Sequence, residues 1–123
     1  MTCPDFDAAQ IHDYAAVMPV SALKELAASF RSSVSELIDQ LTHTTRHIDP
    51  DRLAAHAHDL KGVSGSFGAR RLQNLAEQLE KCCRESLLTG IAPILAAMPE
   101  AALHAFSSLE TELEKLDLSS QGH

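Results

Sequence analysis

Apolar residues recur along most of this chain at alternating three- and four-residue steps. That spacing places them on one face of an α-helix. The clearest run is Leu23, Leu26, Phe30, Val34, Leu37 and Leu41, widened by Ala27 and Ile38, and it predicts a helix over about 21–43 with Ser21 as its cap. Upstream, Gln10–Val17 reads as a short helix stopped before Pro19, after a loose or lightly docked tail at 1–9. Thr44–Ile48 is a connector. Asp49-Pro50 then sets an N-cap residue before a proline at the first helical position, and a helix follows to about Ser66. Gly68 closes it and Ala69 opens the next, so the link is tight and the two helices are antiparallel neighbours. Leu72, Leu75, Leu79, Cys82 and Ser86 mark the inner face of that next helix, flanked by Ala76 and Cys83.

Thr89-Gly90 is a break. The last stretch carries Ile91, Leu95, Met98, Leu103, Phe106, Leu109, Leu113 and Leu116. Pro93 falls in a first turn, where it is tolerated; Pro99 either kinks a long final helix or divides it in two. A polar tail is expected over 118–123. No segment alternates like a strand, and no internal repeat is evident. The pattern predicts an all-α chain: an antiparallel up-down four-helix bundle with a short extra N-terminal helix, forming one domain over 1–123.

Composition narrows the picture. The chain has no Trp and few aromatics, so its core is mostly Leu, Ala, Ile and Val. The formal net charge of −7 argues against nucleic acid as a partner. No apolar run looks long enough to span a bilayer, and the N-terminus lacks the basic and apolar regions of a signal peptide. A cytoplasmic monomer is expected, with no membrane association. Cys3, Cys82 and Cys83 are odd in number, two of them adjacent, which is not a disulfide framework. One or both of the adjacent pair serve as small core residues.

The candidate chemistry lies in the helix after Pro50. Leu53, Ala57, Leu60, Ser64 and Phe67 fall on one stripe, which is the core face. His58 points the other way. Its neighbours on that outer face are Ala54, Ala55, Gly62 and Gly65, with Lys61 one turn on. Solvated helix faces usually carry long charged side chains, and each interior Gly costs a helix roughly 1 kcal/mol against Ala. Two readings follow. Either a partner must come close to this imidazole, or 62–66 is simply where the helix frays.

The run His58-Asp-Leu-Lys-Gly62, then Phe67-Gly-Ala69, Leu72 and Leu79-Glu80, resembles the histidine-containing phosphotransfer (HPt) domain of bacterial phosphorelays. The resemblance implies that His58 is the residue phosphorylated and that His56, which is not at the matching position, is not. It implies a phosphorelay intermediate that exchanges a phosphoryl group with the aspartate of receiver domains, in a pathway fed by a hybrid sensor histidine kinase. It also places Glu80 where the family can hydrogen-bond the imidazole and hold its tautomer. Val63-Ser-Gly-Ser66 resembles, more faintly, the phosphotransfer domain at the front of chemotaxis kinases.

The residues can support such chemistry. An unprotonated imidazole is a good nucleophile near neutral pH. Lys61 lies about 60° round the helix from His58 and can reach a phosphate there as a point charge. Gln73, Glu77, Glu80 and Arg84 share a flank of the adjoining helix. No Gly-x-x-x-x-Gly-Lys loop and no carboxylate cluster for Mg²⁺ is present. The chain is therefore expected to be a carrier and not an enzyme, with no cofactor, its partner supplying the metal and catalytic groups. The alternative is a metal- or cofactor-holding bundle using several of the seven histidines. His43 and His47 have the (i, i+4) spacing of two ligands but straddle a predicted helix end. No Glu-x-x-His occurs, and His58 faces away from the stripe. His12, His104 and His123 belong to no motif.

Overall fold

A computed structural model describes residues 6–44 and 49–121. Among these residues five α-helices follow in order: α1 (Ala8–Ala15), α2 (Val20–Thr44), α3 (Pro50–Ser66), α4 (Arg70–Arg84) and α5 (Ile91–Gln121), with a 3₁₀ turn at Leu88–Gly90 before α5. Helices α2 to α5 pack each against the next, and α2 closes on α5, which makes an antiparallel four-helix bundle. The described residues contain no strand. Residues 1–5, 45–48 and 122–123 lie outside the description, and with them Cys3, His47 and His123.

Capping sets the ends of α3. Asp49 is extended, and its Oδ1 accepts from the N–H groups of Asp51 (3.2 Å) and Arg52 (3.4 Å), with Pro50 at the first turn. At the other end Ala69 N–H donates to Ser64 O (3.0 Å) and Gly68 N–H to Gly65 O (3.2 Å), with Gly68 at φ +73°. This is the paired 6→1 and 5→2 closure of a Schellman motif, which needs a left-handed residue at its tip. It reverses the chain so abruptly that α3 and α4 form the most extensive helix pair in the protein. Helix α3 remains helical through Ser66, so 62–66 is not a frayed end.

The core stripe of α3 is as expected: Leu53, Ala57, Leu60, Ser64 and Phe67 are all buried. Ala54 is buried too, because α3 packs on both α2 and α4 and its covered arc is wider than one stripe. In α4 the buried line is Leu72, Ala76, Leu79, Glu80 and Cys83, with Leu75 and Cys82 half-buried. Ser86 does not belong to that face. It stands exposed beyond the helix at φ 57°, the tip of a second such closure in which Leu87 N–H donates to Cys82 O (2.8 Å).

Helix α5 is continuous, with Pro99 inside it on an exposed position. Its inner face is Met98, Ala101, Ala102, Ala105 and Leu109; Leu103 is 67% exposed, and Leu26 of α2 is also on the outside. By length and composition alone Leu88–Leu118 is apolar enough to cross a membrane, contrary to the expectation that no such run exists. In the bundle 28% of its apolar window is buried, the part that packs on α2 and α4. The expected polar tail at 118–123 is helical as far as Gln121.

The expected tail at 1–9 is docked from Phe6 onward. Asp7 caps α1 by accepting from Ala9 N–H (3.1 Å), and its own N–H donates to Gly68 O (2.7 Å). Its carboxylate meets Arg70 at 3.0 Å. Tyr14 Oη donates to Ser66 O (2.5 Å), and the rings of Tyr14, Phe67, Phe30 and Phe106 meet in succession in tilted and edge-to-face contacts. The start of the chain thus clasps the α3–α4 turn.

A Cβ at Gly68 would run into the Asp7 carbonyl oxygen while the backbone stays left-handed, whereas a Cβ at Gly62 meets nothing within 4 Å. Gly68→Ala is therefore expected to lower the unfolding free energy by about 2–3 kcal/mol, and Gly62→Ala to raise it by up to about 1 kcal/mol. Denaturant titration reads both; an unchanged midpoint for Gly68→Ala would contradict this account of the turn.

Candidate functional site

His58 sits on the outer side of α3, with 62% of its side chain exposed. It and Glu80 are equidistant along the chain from Ala69, so the tight turn brings them opposite each other on α3 and α4. Their contact is direct: Nδ1 of His58 lies 3.1 Å from Oε2 of Glu80. Lys61, one turn along from His58, places Nζ 3.3 Å from Oε1 of the same carboxylate. Arg84, one turn along from Glu80, donates from Nε (3.2 Å) and Nη2 (2.8 Å) to Oε2.

The sequence treated Glu80 as a flank residue, yet its side chain is only 11% exposed. Burial alone would push a carboxyl toward its neutral form. The Arg84 guanidinium, and after it Lys61 and His58, outweigh that burial and hold Glu80 below the usual carboxylate range. An ionised carboxylate only accepts hydrogen bonds, so the proton in the contact belongs to His58 Nδ1. The other ring nitrogen, Nε2, then carries the free lone pair on an exposed imidazole.

The surroundings divide the expected low-relief patch in two. Ala55 and Gly62 are exposed beside His58. Ala54 is buried and does not contribute. Gly65 is half-buried beneath Gln73, whose amide nitrogen a Cβ would approach to 2.9 Å. Gln73 is braced in turn by Arg70, which donates to its Oε1 (3.2 Å). Gly65 thus lies under the Gln73 amide and is not open surface. The chain from Asp7 through Arg70 to Gln73, and the bond from Tyr14 to Ser66, escaped sequence reasoning because they pair residues far apart with no periodic signal. Within α3, Ser66 Oγ donates back to Gly62 O (2.9 Å).

The remaining titratable groups stand apart. His56 is half-buried and His104 exposed; His12 faces Glu112 at 3.4 Å between α1 and α5. His47, the second half of the His43–His47 spacing, lies outside the described residues. Among the described residues, no three His, Cys, Asp or Glu side chains converge as a metal site. Cys83 is buried, and that burial pushes its thiol pKa up. A groove of about 330 Å³ between α2 and α5, lined by Lys24, Arg31, Phe106 and Leu113 among others, includes none of the His58 group.

The site is thus an exposed imidazole set against a buried carboxylate on an all-α bundle. The family model for the Hpt domain matches residues 10–118, and the chain belongs to that family. It is a phosphorelay intermediate of two-component signalling; Hpt proteins work with receiver domains and kinases and are in general not catalytic enzymes. Among solved structures, its fold is similar to the crystal structure of histidine-containing phosphotransfer protein B (HptB) from Pseudomonas aeruginosa PAO1. The TM-score is 0.84 at 21% identity, covering 93% of this chain and 98% of that one. A comparison with curated proteins finds no match.

The lowered Glu80 pKa has a pH consequence. A group whose pKa is depressed on folding contributes stability above its unfolded value, about pH 4, and loses it as pH falls through the folded value. The stability gap between wild type and Glu80→Gln should be widest near neutral pH, on the order of 1 kcal/mol, and shrink below about pH 4. Denaturation series across pH test this, and a gap that stays constant into acid would contradict it.

Proposed function

We propose that His58 is the phosphoacceptor of this relay intermediate and that it reacts through Nε2. One observation carries the reading: the exposed imidazole has its Nδ1 against a buried, ionised carboxylate. The Nε2 lone pair attacks the phosphorus of a receiver's aspartyl phosphate. The N–P bond forms as the P–O bond breaks, and the aspartate leaves as its carboxylate. The ring gains positive charge in that step, and Glu80 faces the nitrogen that keeps the proton. The reverse reaction returns the phosphoryl group to a receiver. Lys61, 3.3 Å from Glu80, is within a side-chain swing of a phosphoryl group on His58 and supplies a compact positive charge there.

Phosphoryl transfer also requires an in-line approach and charge neutralisation. The receiver brings the metal ion and the acceptor carboxylate, and Ala55 and Gly62 leave room beside His58 for it to do so. The docking surface is this low-relief strip of α3 with Glu80 and Arg84 of α4 at its edge. A hybrid sensor histidine kinase is the upstream source. The carrier acts as a monomer in the cytoplasm.

Incubation with a phosphorylated receiver tests the acceptor. His58→Gln should fold normally and take no label, while His56→Gln takes it at the wild-type rate. Acid-labile, base-stable label retained on the His58 variant would overturn the assignment. The docking strip makes a separate prediction. Gly62→Gln should hold or raise thermal stability while transfer falls by at least about tenfold, a loss of about 1.4 kcal/mol in transition-state binding. Transfer at the wild-type rate would mean that no partner approaches this face.

A further inference from the structure

Glu80 meets donors from three side chains, and its two oxygens divide them unequally. Oε2 takes His58 Nδ1 (3.1 Å) together with Arg84 Nε (3.2 Å) and Nη2 (2.8 Å). Oε1 takes Lys61 Nζ alone (3.3 Å). The oxygen that orients the imidazole is thus the one Arg84 grips, and the oxygen that holds Lys61 is separate. Resting on His58 as the phosphoacceptor, we propose that Arg84 is a positioning residue for the transfer. By fixing Glu80 Oε2 against His58 Nδ1 it lets Lys61 leave Oε1 for the phosphoryl group without disturbing the ring.

The charges support a hand-off of this kind. Two permanent cations, Lys61 from α3 and Arg84 from α4, face a single carboxylate. One is in excess until a phosphoryl dianion arrives. With Arg84 absent, Lys61 would be the only permanent cation on a side chain that is 11% exposed. Its departure would strand a buried carboxylate, which is strongly unfavourable. The grip is also geometric. A glutamate has several rotatable bonds, and one hydrogen bond to a mostly exposed imidazole does not fix it. The two-pronged contact from the next turn of the same helix does. While Lys61 stays on Oε1 the carboxylate keeps a permanent cation, so the loss of Arg84, itself 63% exposed, is expected to matter more for the ring than for the fold.

The test uses histidine labelled with ¹⁵N in the unphosphorylated full chain at alkaline pH, where imidazole is neutral, beside transfer rates from a phosphorylated receiver. Wild type should show His58 mainly as the Nδ1–H tautomer. Arg84→Gln should shift it toward Nε2–H and slow transfer on the order of tenfold, less than the full effect of a positioned proton partner because Glu80 remains. Arg84→Lys should restore part of both. A wild-type tautomer ratio in Arg84→Gln would overturn the proposal, whether or not the rate falls. Because the tautomer is read before any phosphoryl group is added, this result is independent of whether His58→Gln still takes label, which alone decides the acceptor.

Discussion

A carboxylate placed in a helix–helix seam is unfavourable unless charged donors meet it there. Glu80 is such a carboxylate, and the geometry of the His58 face depends on it. It links the two helices chemically, through His58 and Lys61 on one side and Arg84 on the other. The link exists only in one register of α3 against α4. That register is set by the closure at Gly68, whose left-handed backbone favours glycine and where a Cβ would run into the Asp7 carbonyl oxygen. A small conformational requirement at the turn therefore governs an electrostatic arrangement three helical turns away.

The rest of the bundle serves to keep that hairpin still. The segment from Phe6 to Tyr14 holds the turn by backbone, ion-pair and hydroxyl contacts. The aromatic series from Tyr14 to Phe106 joins α1, α2, the turn and α5. Along α5 the alanines at 101, 102 and 105 allow close approach where bulkier residues would hold the helices apart. Helix α3 can then present His58 on a surface whose exposed neighbours are small, because its stability comes from the buried arc and not from its outer face.

Much of this was legible in the sequence. Periodicity located the four long helices, and Asp49-Pro50 and Gly68 marked both ends of α3 by known capping chemistry. The fixed spacing of His58, Lys61 and Gly62 pointed to the site. The errors have physical causes. Ala54 was assigned to the outer face because a single stripe underestimates the covered arc of a helix packed on two neighbours. Gly65 looked like cleared surface, but its missing Cβ accommodates Gln73 from another helix. Ser86 fits the apolar period and still lies outside α4, because its backbone turns left-handed. The burial of Glu80 had no signal of its own. It follows from the height of α4 on α3, which only the assembled hairpin specifies. Leu103 continued the apolar count across Pro99 but faces outward, the alanines beside it filling the core instead.

If Glu80 holds the Nδ1 proton of His58, Nε2 is the nitrogen left to react. The most direct measurement is the ¹⁵N–³¹P coupling pattern of the phosphorylated, ¹⁵N-histidine-labelled protein, which reports which ring nitrogen bears phosphorus. A phosphoryl group on Nε2 of His58 is the predicted result. Phosphorus on Nδ1, or on any other side chain, would contradict the account.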